Sequence, residues 1–278
     1  MTSARDTPKE KVSLGGVSET ALLTLNARAQ EARRADPLLV DPMAIALADS
    51  IDYDFAKFGR TRQDVALRSR LFDIQAASYL AAHPTATVVA LAEGLQTSFW
   101  RLDATLPDAQ FRWLSIDLPE IIDIRTRLLP TSPRISVCTR SALDFTWMDS
   151  VDEKDGVFIT AEGLLMYLQP EQGMELIRQC ASRFPGGRMI FDLPPAWVSR
   201  VSRRGVRTST RYKGPPMPFT LSAAQAADLV NTVPGVRAAQ DLRLPPGRGR
   251  AFNAAVRMIY RARMFQALRP CLTLLEFG

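Results

Sequence analysis

Five short apolar runs alternate with helical patterns across the middle of this chain, and this alternation restricts the fold more than any other feature. The runs cover residues 87–92, 112–117, 134–138, 156–161 and 187–192, and the helical patterns cover 96–106, 119–129 and 170–184. Strands that alternate with helices form mostly parallel sheets, because each return to a parallel strand needs a crossover connection. The sequence therefore predicts a doubly wound α/β fold.

Further patterns lie on both sides of this region. Helical patterns precede it over residues 18–35, with Ser18 at the N-cap position, and over 42–50 and 62–82. Residues 194–220 follow it, and their five prolines and two glycines indicate a long loop or lid rather than a core element. The remaining patterns predict a helix over 221–232, a strand over 236–243, a helix over 251–266 and a strand over 271–277.

Composition restricts the class of protein. With 46% hydrophobic and 23% charged residues, the chain has the composition of a globular domain rather than a disordered one. No apolar run approaches the roughly 18 residues of a membrane span. The first 17 residues lack the apolar core of a signal peptide, so we expect a cytoplasmic protein. Cys138, Cys180 and Cys271 are far apart and odd in number, so neither a metal site nor a disulfide framework is expected.

The net charge of +6 is unevenly distributed. Residues 188–278 carry +11 and residues 1–187 carry −5. Such a basic third can attract an anionic substrate, nucleic acid or a membrane. However, 30 arginines against 5 lysines suggest a general preference for arginine, which favours a merely solvated surface. No aromatic–basic nucleic-acid motif is present, so no nucleic-acid partner is expected. No membrane partner is expected either.

Polar residues follow successive predicted strands. Gly94 comes after the first, Asp117 after the second, Ser141 to Asp144 after the third, Glu162 after the fourth and Asp192 after the fifth. In a doubly wound sheet these positions meet at one edge, where nucleotide-like ligands bind. Asp117 lies 23 positions after Gly94, and a carboxylate about 20 residues after such a turn can accept hydrogen bonds from ribose hydroxyls. Each carboxylate alone is better explained as a helix cap or a surface group, and it is their register with successive strand ends that favours a ligand site.

His83 is the chain's one histidine, and it lies in Ala81-Ala82-His83-Pro84 at the end of a helical pattern. This position favours a helix C-terminal cap over a catalytic role.

Several ordered motifs resemble the leucine carboxyl methyltransferase family, in particular its bacterial branch with the tetracenomycin-type polyketide O-methyltransferases. They are Asp36–Ala44, Arg68–Asp73, Leu91–Leu102, Asp117–Ile122, Ser141–Trp147, Ile159–Leu168 and Pro215–Phe219. The resemblance covers residues 18–278. It implies a class I methyltransferase, with a Rossmann-like, mostly parallel seven-stranded sheet, helices on both faces, additional N-terminal helices and a lid insertion.

The resemblance also implies a domain organisation. Residues 1–17 are expected to be a disordered tail and 18–278 a single methyltransferase domain. Within it, 18–82 are a helical cover, 87–193 the cofactor-binding core, 194–220 the lid or loop and 221–278 the C-terminal part of the sheet.

The implied activity is transfer of a methyl group from S-adenosylmethionine to a carboxylate or phenolic oxygen of a small or medium-sized metabolite. A polyketide-like acid of secondary metabolism is one candidate, so we expect an anionic small-molecule acceptor. A carboxylate is already ionised at neutral pH and needs no general base. This fits a chain whose one histidine lies outside the candidate site.

Individual positions match the family's cofactor site. Arg68 matches the arginine that binds the methionine carboxylate, and Glu162 the acid that faces the methionine amino group. Gly94 ends the cofactor turn, with Ala92 and Glu93 before it. Asp117 matches the ribose-binding acid with Leu118 beside it, and Leu143 and Asp144 match positions around the adenine. Tyr167 is predicted either to orient the acceptor or to be structural.

The cofactor turn departs from the family pattern. That pattern is glycine-alanine-glycine, then an apolar residue and aspartate, whereas this chain has Ala92-Glu93-Gly94-Leu95-Gln96. Ala92 adds a methyl group where the backbone approaches the cofactor. Glu93 crowds the cofactor if it points inward and is harmless if it points outward. An alternative therefore stays open, namely a degenerate family member that binds cofactor weakly or not at all and acts as a binding or interaction protein.

Overall fold

One mixed seven-stranded sheet forms the centre of the protein. The computed structural model describes residues 8–202, 205, 207–261 and 268–278. The strands in these residues are β1 (Glu10–Lys11), β2 (Ile51–Asp52), β3 (Thr87–Leu91), β4 (Arg112–Asp117), β5 (Ile135–Thr139), β6 (Val157–Ala161), β7 (Arg188–Leu193), β8 (Val236–Asp241) and β9 (Cys271–Phe277). Strands β1 and β2 form a separate two-stranded sheet. The large sheet has the order β5-β4-β3-β6-β7-β9-β8. Strands β3 to β7 are parallel and β9 is antiparallel to its neighbours, which confirms the predicted fold class.

The strand order opens a crevice in which a ligand can bind. From β3 the chain proceeds outward through β4 and β5, and then returns to place β6 on the other side of β3. The connections on the two sides of this point leave in opposite directions, which opens a crevice at the carboxyl ends of the strands. The crevice lies above β3 and β6.

Helices surround the sheet. They are α1 (Thr20–Ala32), α2 (Pro42–Ser50), α3 (Gln63–Ala82), α4 (Ser98–Thr105), α5 (Pro119–Leu128), α6 (Pro170–Arg183), α7 (Ala196–Ser202), α8 (Ala223–Ala227), α9 (Leu229–Thr232) and α10 (Arg250–Arg261). The helices predicted before and between the parallel strands lie within a few residues of the predicted bounds. Within the residues that the structure describes, no helix has both the length and the apolar character that crossing a bilayer requires.

Both faces of the sheet are covered by apolar side chains. In β3, Val89 and Leu91 belong to one buried cluster, whereas Val88 and Ala90 belong to another. Successive side chains of a strand point to opposite faces, so this division places one cluster on each side of the sheet. Strands buried on both faces explain why the sequence shows continuous apolar runs rather than alternation.

The N-terminal segment differs from its prediction. Residues 1–7 lie outside the described part, but β1 pairs in parallel with β2, and Val12 and Leu14 are buried. The prediction of a disordered tail is therefore wrong for residues 10–14, because these two side chains pack into the same cluster as Leu22. Ser18 does not cap α1 either, since its hydroxyl donates to Glu120 and the helix begins at Thr20.

Of three predictions for the C-terminal part of the chain, two differ from the structure and one extends beyond the described residues. The predicted loop at 194–220 contains the short helix α7, and its Tyr212 and Phe219 are buried. The predicted helix at 221–232 is divided at Asp228 into α8 and α9. Helix α10 begins at Arg250, and the part of the predicted helix at residues 262–266 lies outside the described residues.

Candidate functional site

A cavity of about 300 Å³ opens at the carboxyl ends of β3, β4 and β6. The sheet side contributes Gly94, Asp117 and Glu162, and the first turns of α1 cover it with Thr20 and Thr24. This is the crevice that the strand order creates. Most of the polar positions predicted from the strand ends therefore meet in one place.

The turn after β3 has an unusual backbone. Gly94 has a φ of 61° and Ala92 a φ of 47°, so both lie in the left-handed region. Glycine suits this position because of its positive φ, and a Cβ at Gly94 would also make a tight contact of 3.2 Å with the Cβ of Ala21. Ala92 adopts the same region with a side chain, at a cost of about 1 kcal/mol.

Glu93 is paired behind this turn. Its carboxylate lies 2.8 Å from Arg125 Nη2, and the two side chains are only 2% and 5% exposed. Both Glu93 carboxylate oxygens are buried, so the charged end does not project into the open cavity. Arg125 Nη1 also donates to the carbonyl oxygens of Gly94 and Gln96, at 2.9 and 2.8 Å. Arg125 thus neutralises Glu93 and holds the turn, a role that the sequence did not indicate.

Asp117 is held by the backbone on two sides. Its Oδ2 accepts from the Gly94 N–H at 2.6 Å and its Oδ1 from the Leu118 N–H at 2.7 Å. Burial raises the pKa of Asp117 to about 6, although the two N–H donors and Arg125 oppose the rise. At neutral pH the group is mostly ionised. Each oxygen keeps a lone pair for a further donor.

Arg68 joins the ends of β6 and β7. Its Nε donates to Glu162 at 3.0 Å and its Nη1 to Asp192 at 2.9 Å. Burial alone lowers the pKa of Arg68, but the two carboxylates outweigh it and the net pKa is raised. Asp192 also accepts from the Gly163 N–H at 2.7 Å. Two carboxylates around one guanidinium leave an excess negative charge, which favours a cationic ligand group.

The adenine-side predictions have different outcomes. Leu118 and Leu143 line the cavity. Asp144 does not line it, because its carboxylate accepts from Thr146 and pairs with Arg140 at 2.8 Å. The sequence could not reveal these local partners of Asp144.

Tyr167 lines the cavity, and burial raises its pKa, so the hydroxyl is protonated at neutral pH.

His83 is the C-cap of α3 and stacks on Tyr79, which confirms the predicted structural role. No group of three or more potential metal ligands occurs among the residues that the structure describes.

The chain is similar to methyltransferases in sequence and structure. The family model for leucine carboxyl methyltransferase matches residues 21–181. The tetracenomycin polyketide synthesis O-methyltransferase of Streptomyces glaucescens is 33% identical, over 82% of this chain and 83% of that protein. An S-adenosyl-L-methionine-dependent methyltransferase of Gibberella zeae is 28% identical, over 67% and 69%. In structure, a candidate methyltransferase of Thermobifida fusca has a TM-score of 0.55 at 14% identity, over 92% of this chain and 94% of that one.

Proposed function

The chain belongs to the leucine carboxyl methyltransferase family and is an S-adenosylmethionine-dependent O-methyltransferase, and we propose that the cavity described above is its cofactor site. The observation that carries this proposal is the meeting of Arg68, Asp117 and Glu162 around one glycine turn. These side chains offer partners for the carboxylate, the ribose and the amino group of the cofactor.

Each residue has chemistry suited to its proposed partner. The Arg68 guanidinium can bind the methionine carboxylate with two parallel hydrogen bonds. The excess negative charge of Glu162 and Asp192 suits the amino group, and the remaining lone pairs of Asp117 suit the ribose hydroxyls. Leu118 and Leu143 would contact the adenine. A contact of Asp144 with the adenine amino group requires the Asp144 side chain to leave Arg140.

Two glycines, one after β3 and one after β6, support the proposed site. Gly94 and Gly163 have φ angles of 61° and 69°, and a Cβ at Gly163 would lie 3.3 Å from the Arg68 guanidinium. A side chain at either position would press on a residue that lines the cavity, Ala21 or Arg68. The backbone at Ala92 and Glu93 completes the turn, with the Glu93 charge directed at Arg125. This pairing argues against the alternative of a degenerate member that no longer binds cofactor.

S-adenosylmethionine bound here would supply a methyl group on its sulfonium, for in-line transfer to the acceptor oxygen as the carbon–sulfur bond breaks and neutral S-adenosylhomocysteine leaves. The protein's contribution is alignment of the two reactants and exclusion of water. We propose that Tyr167, whose hydroxyl stays protonated because burial raises its pKa, orients the acceptor by a hydrogen bond. An acceptor carboxylate is already ionised and needs no base.

The acceptor is a small molecule, and we propose that it is an anionic, polyketide-like acid. The similarity to the tetracenomycin enzyme supports this class. The first turns of α1 and the segment 194–220 are proposed to contact the acceptor, since Thr20 and Thr24 already cover the cavity. We propose a cytoplasmic location, with no nucleic-acid partner.

Titration calorimetry with S-adenosylmethionine tests the proposed site. Wild-type protein should bind it, and Arg68→Ala and Asp117→Ala should each bind about tenfold more weakly or worse, because each removes charged hydrogen bonds. Arg112→Ala and Asp123→Ala are matched controls at exposed ion pairs outside the cavity. Absence of heat at millimolar cofactor from folded wild-type protein would overturn the cofactor assignment. Unchanged affinity in both site variants would overturn the placement.

A further inference from the structure

The Glu162 carboxylate is fixed by side chains of two other elements. Its Oε2 accepts from Gln96 Nε2 at 2.7 Å, and its Oε1 accepts from the Ser69 hydroxyl at 2.8 Å. Gln96 Nε2 also donates to Ser69 Oγ at 2.8 Å. Gln96 is 9% exposed and lines the same cavity as Glu162. Neutral donors thus hold both oxygens of Glu162, in addition to Arg68.

The orientation of the Gln96 amide is determined by Arg101. Arg101 Nη1 and Nη2 lie 3.4 and 3.3 Å from Gln96 Oε1, and the Thr97 N–H donates to the same oxygen at 3.2 Å. A guanidinium can only donate and a carboxylate can only accept. The amide oxygen must therefore face Arg101, and the amide nitrogen must face Glu162.

Arg101 is itself held rigidly. It pairs with Asp41 and Asp73, each at 2.6 Å, and its side chain is 6% exposed. Asp41 belongs to the segment before α2, and it also accepts from the Thr97 hydroxyl at 2.8 Å. A continuous set of buried contacts therefore leads from the N-terminal helical cover through Arg101 and Gln96 to Glu162.

We propose that Gln96 is a positioning residue, which directs the Glu162 carboxylate at the cofactor's amino group. This inference rests on the proposed cofactor site. Gln96 stands where the family pattern has aspartate, and an aspartate carboxylate has no hydrogen to donate to Glu162. The specific consequence is that Gln96 acts on the amino-acid end of the ligand and not on its adenosine end.

Three ligands that differ at this end test the proposal. S-adenosylmethionine has both an amino and a carboxylate group, decarboxylated S-adenosylmethionine keeps only the amino group, and methylthioadenosine has neither. In Gln96→Met, loss of a hydrogen bond to a charged group should weaken the first two ligands about tenfold. Methylthioadenosine should bind within about twofold of wild type. Calorimetry with each ligand measures these ratios.

Two further variants keep the test decisive. Gln179→Met is the matched control, because Gln179 donates to Glu175 at 2.7 Å on α6, outside the cavity. Ser69→Ala removes the other neutral donor to Glu162 with little change of volume in α3, and it should show the same selectivity if Gln96→Met does not fold.

The outcomes separate this inference from the proposed function. Equal losses for all three ligands, or no loss for any, would overturn the role of Gln96 while the cofactor site stands. If folded wild-type protein binds neither S-adenosylmethionine nor methylthioadenosine, the cofactor site itself is wrong.

Discussion

At the scale of single residues, the turn Ala92-Glu93-Gly94 shows how an unfavourable sequence is accommodated. Glu93 introduces a buried negative charge, and Arg125 supplies the opposite charge together with two hydrogen bonds to turn carbonyls. The strand end predicted the position of the turn. The sequence could not indicate the direction of the Glu93 side chain, because its partner lies 32 residues later on α5.

The Glu93–Arg125 pair leads to a prediction about stability. Glu93→Ala leaves the Arg125 charge buried without a partner, and loss of one member of a buried pair costs about 3 kcal/mol. Urea unfolding should show this loss, and the variant should not bind S-adenosylmethionine more tightly than wild type. Replacing Arg125 by Met in the same chain should recover part of the stability.

Glu153→Ala serves as the control, because Glu153 pairs with Arg183 at an exposed position and should change the free energy of unfolding by less than about 1 kcal/mol. If Glu93→Ala leaves stability unchanged and tightens cofactor binding, then Glu93 crowds the cavity and the pairing described here has no energetic role.

At the scale of elements, hydrophobic periodicity predicted the parallel strands and their helices because each buries a continuous apolar face. It failed where structure depends on distant contacts. Val12 and Leu14 are buried in a cluster to which α1, α2 and α5 all contribute. In the segment 194–220, Phe219 is buried because Gly173 on α6 leaves space for its ring. Such contacts have no periodic signal in the sequence.

The contact between Gly173 and Phe219 can be tested directly. A Cβ at Gly173 would lie 2.4 Å from the Phe219 ring, so Gly173→Ala should destabilise the protein by about 1–3 kcal/mol. Helix propensity alone would stabilise it by about 1 kcal/mol. Phe219→Leu in the same chain should relieve the clash, and thermal unfolding measures each step.

The control is Gly15→Ala, because a Cβ at Gly15 would have nothing within 4 Å. Gly15→Ala should leave the melting temperature nearly unchanged. A Gly173→Ala protein that is more stable than wild type would show that the segment around Phe219 does not rest on α6.

At the scale of the whole molecule, ion pairs connect the basic C-terminal third to the acidic remainder of the chain, and the strand order collects distant residues in one cavity. Arg211 pairs with Asp54 and Arg248 pairs with Glu31, so cations of the basic C-terminal third meet carboxylates of the acidic remainder. This favours the interpretation of the basic third as ordinary surface. The strand order likewise collects Arg68, Asp117 and Glu162 from distant parts of the chain into one cavity.

Most of the residues around this cavity are predictable from the sequence for a general reason. Carboxyl ends of parallel strands share an edge, so Gly94, Asp117 and Glu162 were predictable from their order along the chain. Gln96 and Arg125 were not, since each acts through a partner on another element. Their roles are apparent only in the folded structure, where Arg101 lies beside Gln96 and Glu93 lies beside Arg125.

The central claim is that the crevice above β3 and β6 is the cofactor site, and a crystal structure with S-adenosylhomocysteine bound tests it most directly. We expect the ribose hydroxyls to donate to the Asp117 carboxylate and the amino-acid portion to lie beside Arg68 and Glu162. Electron density for the ligand at another surface, or a ribose that faces away from Asp117, would contradict the assignment.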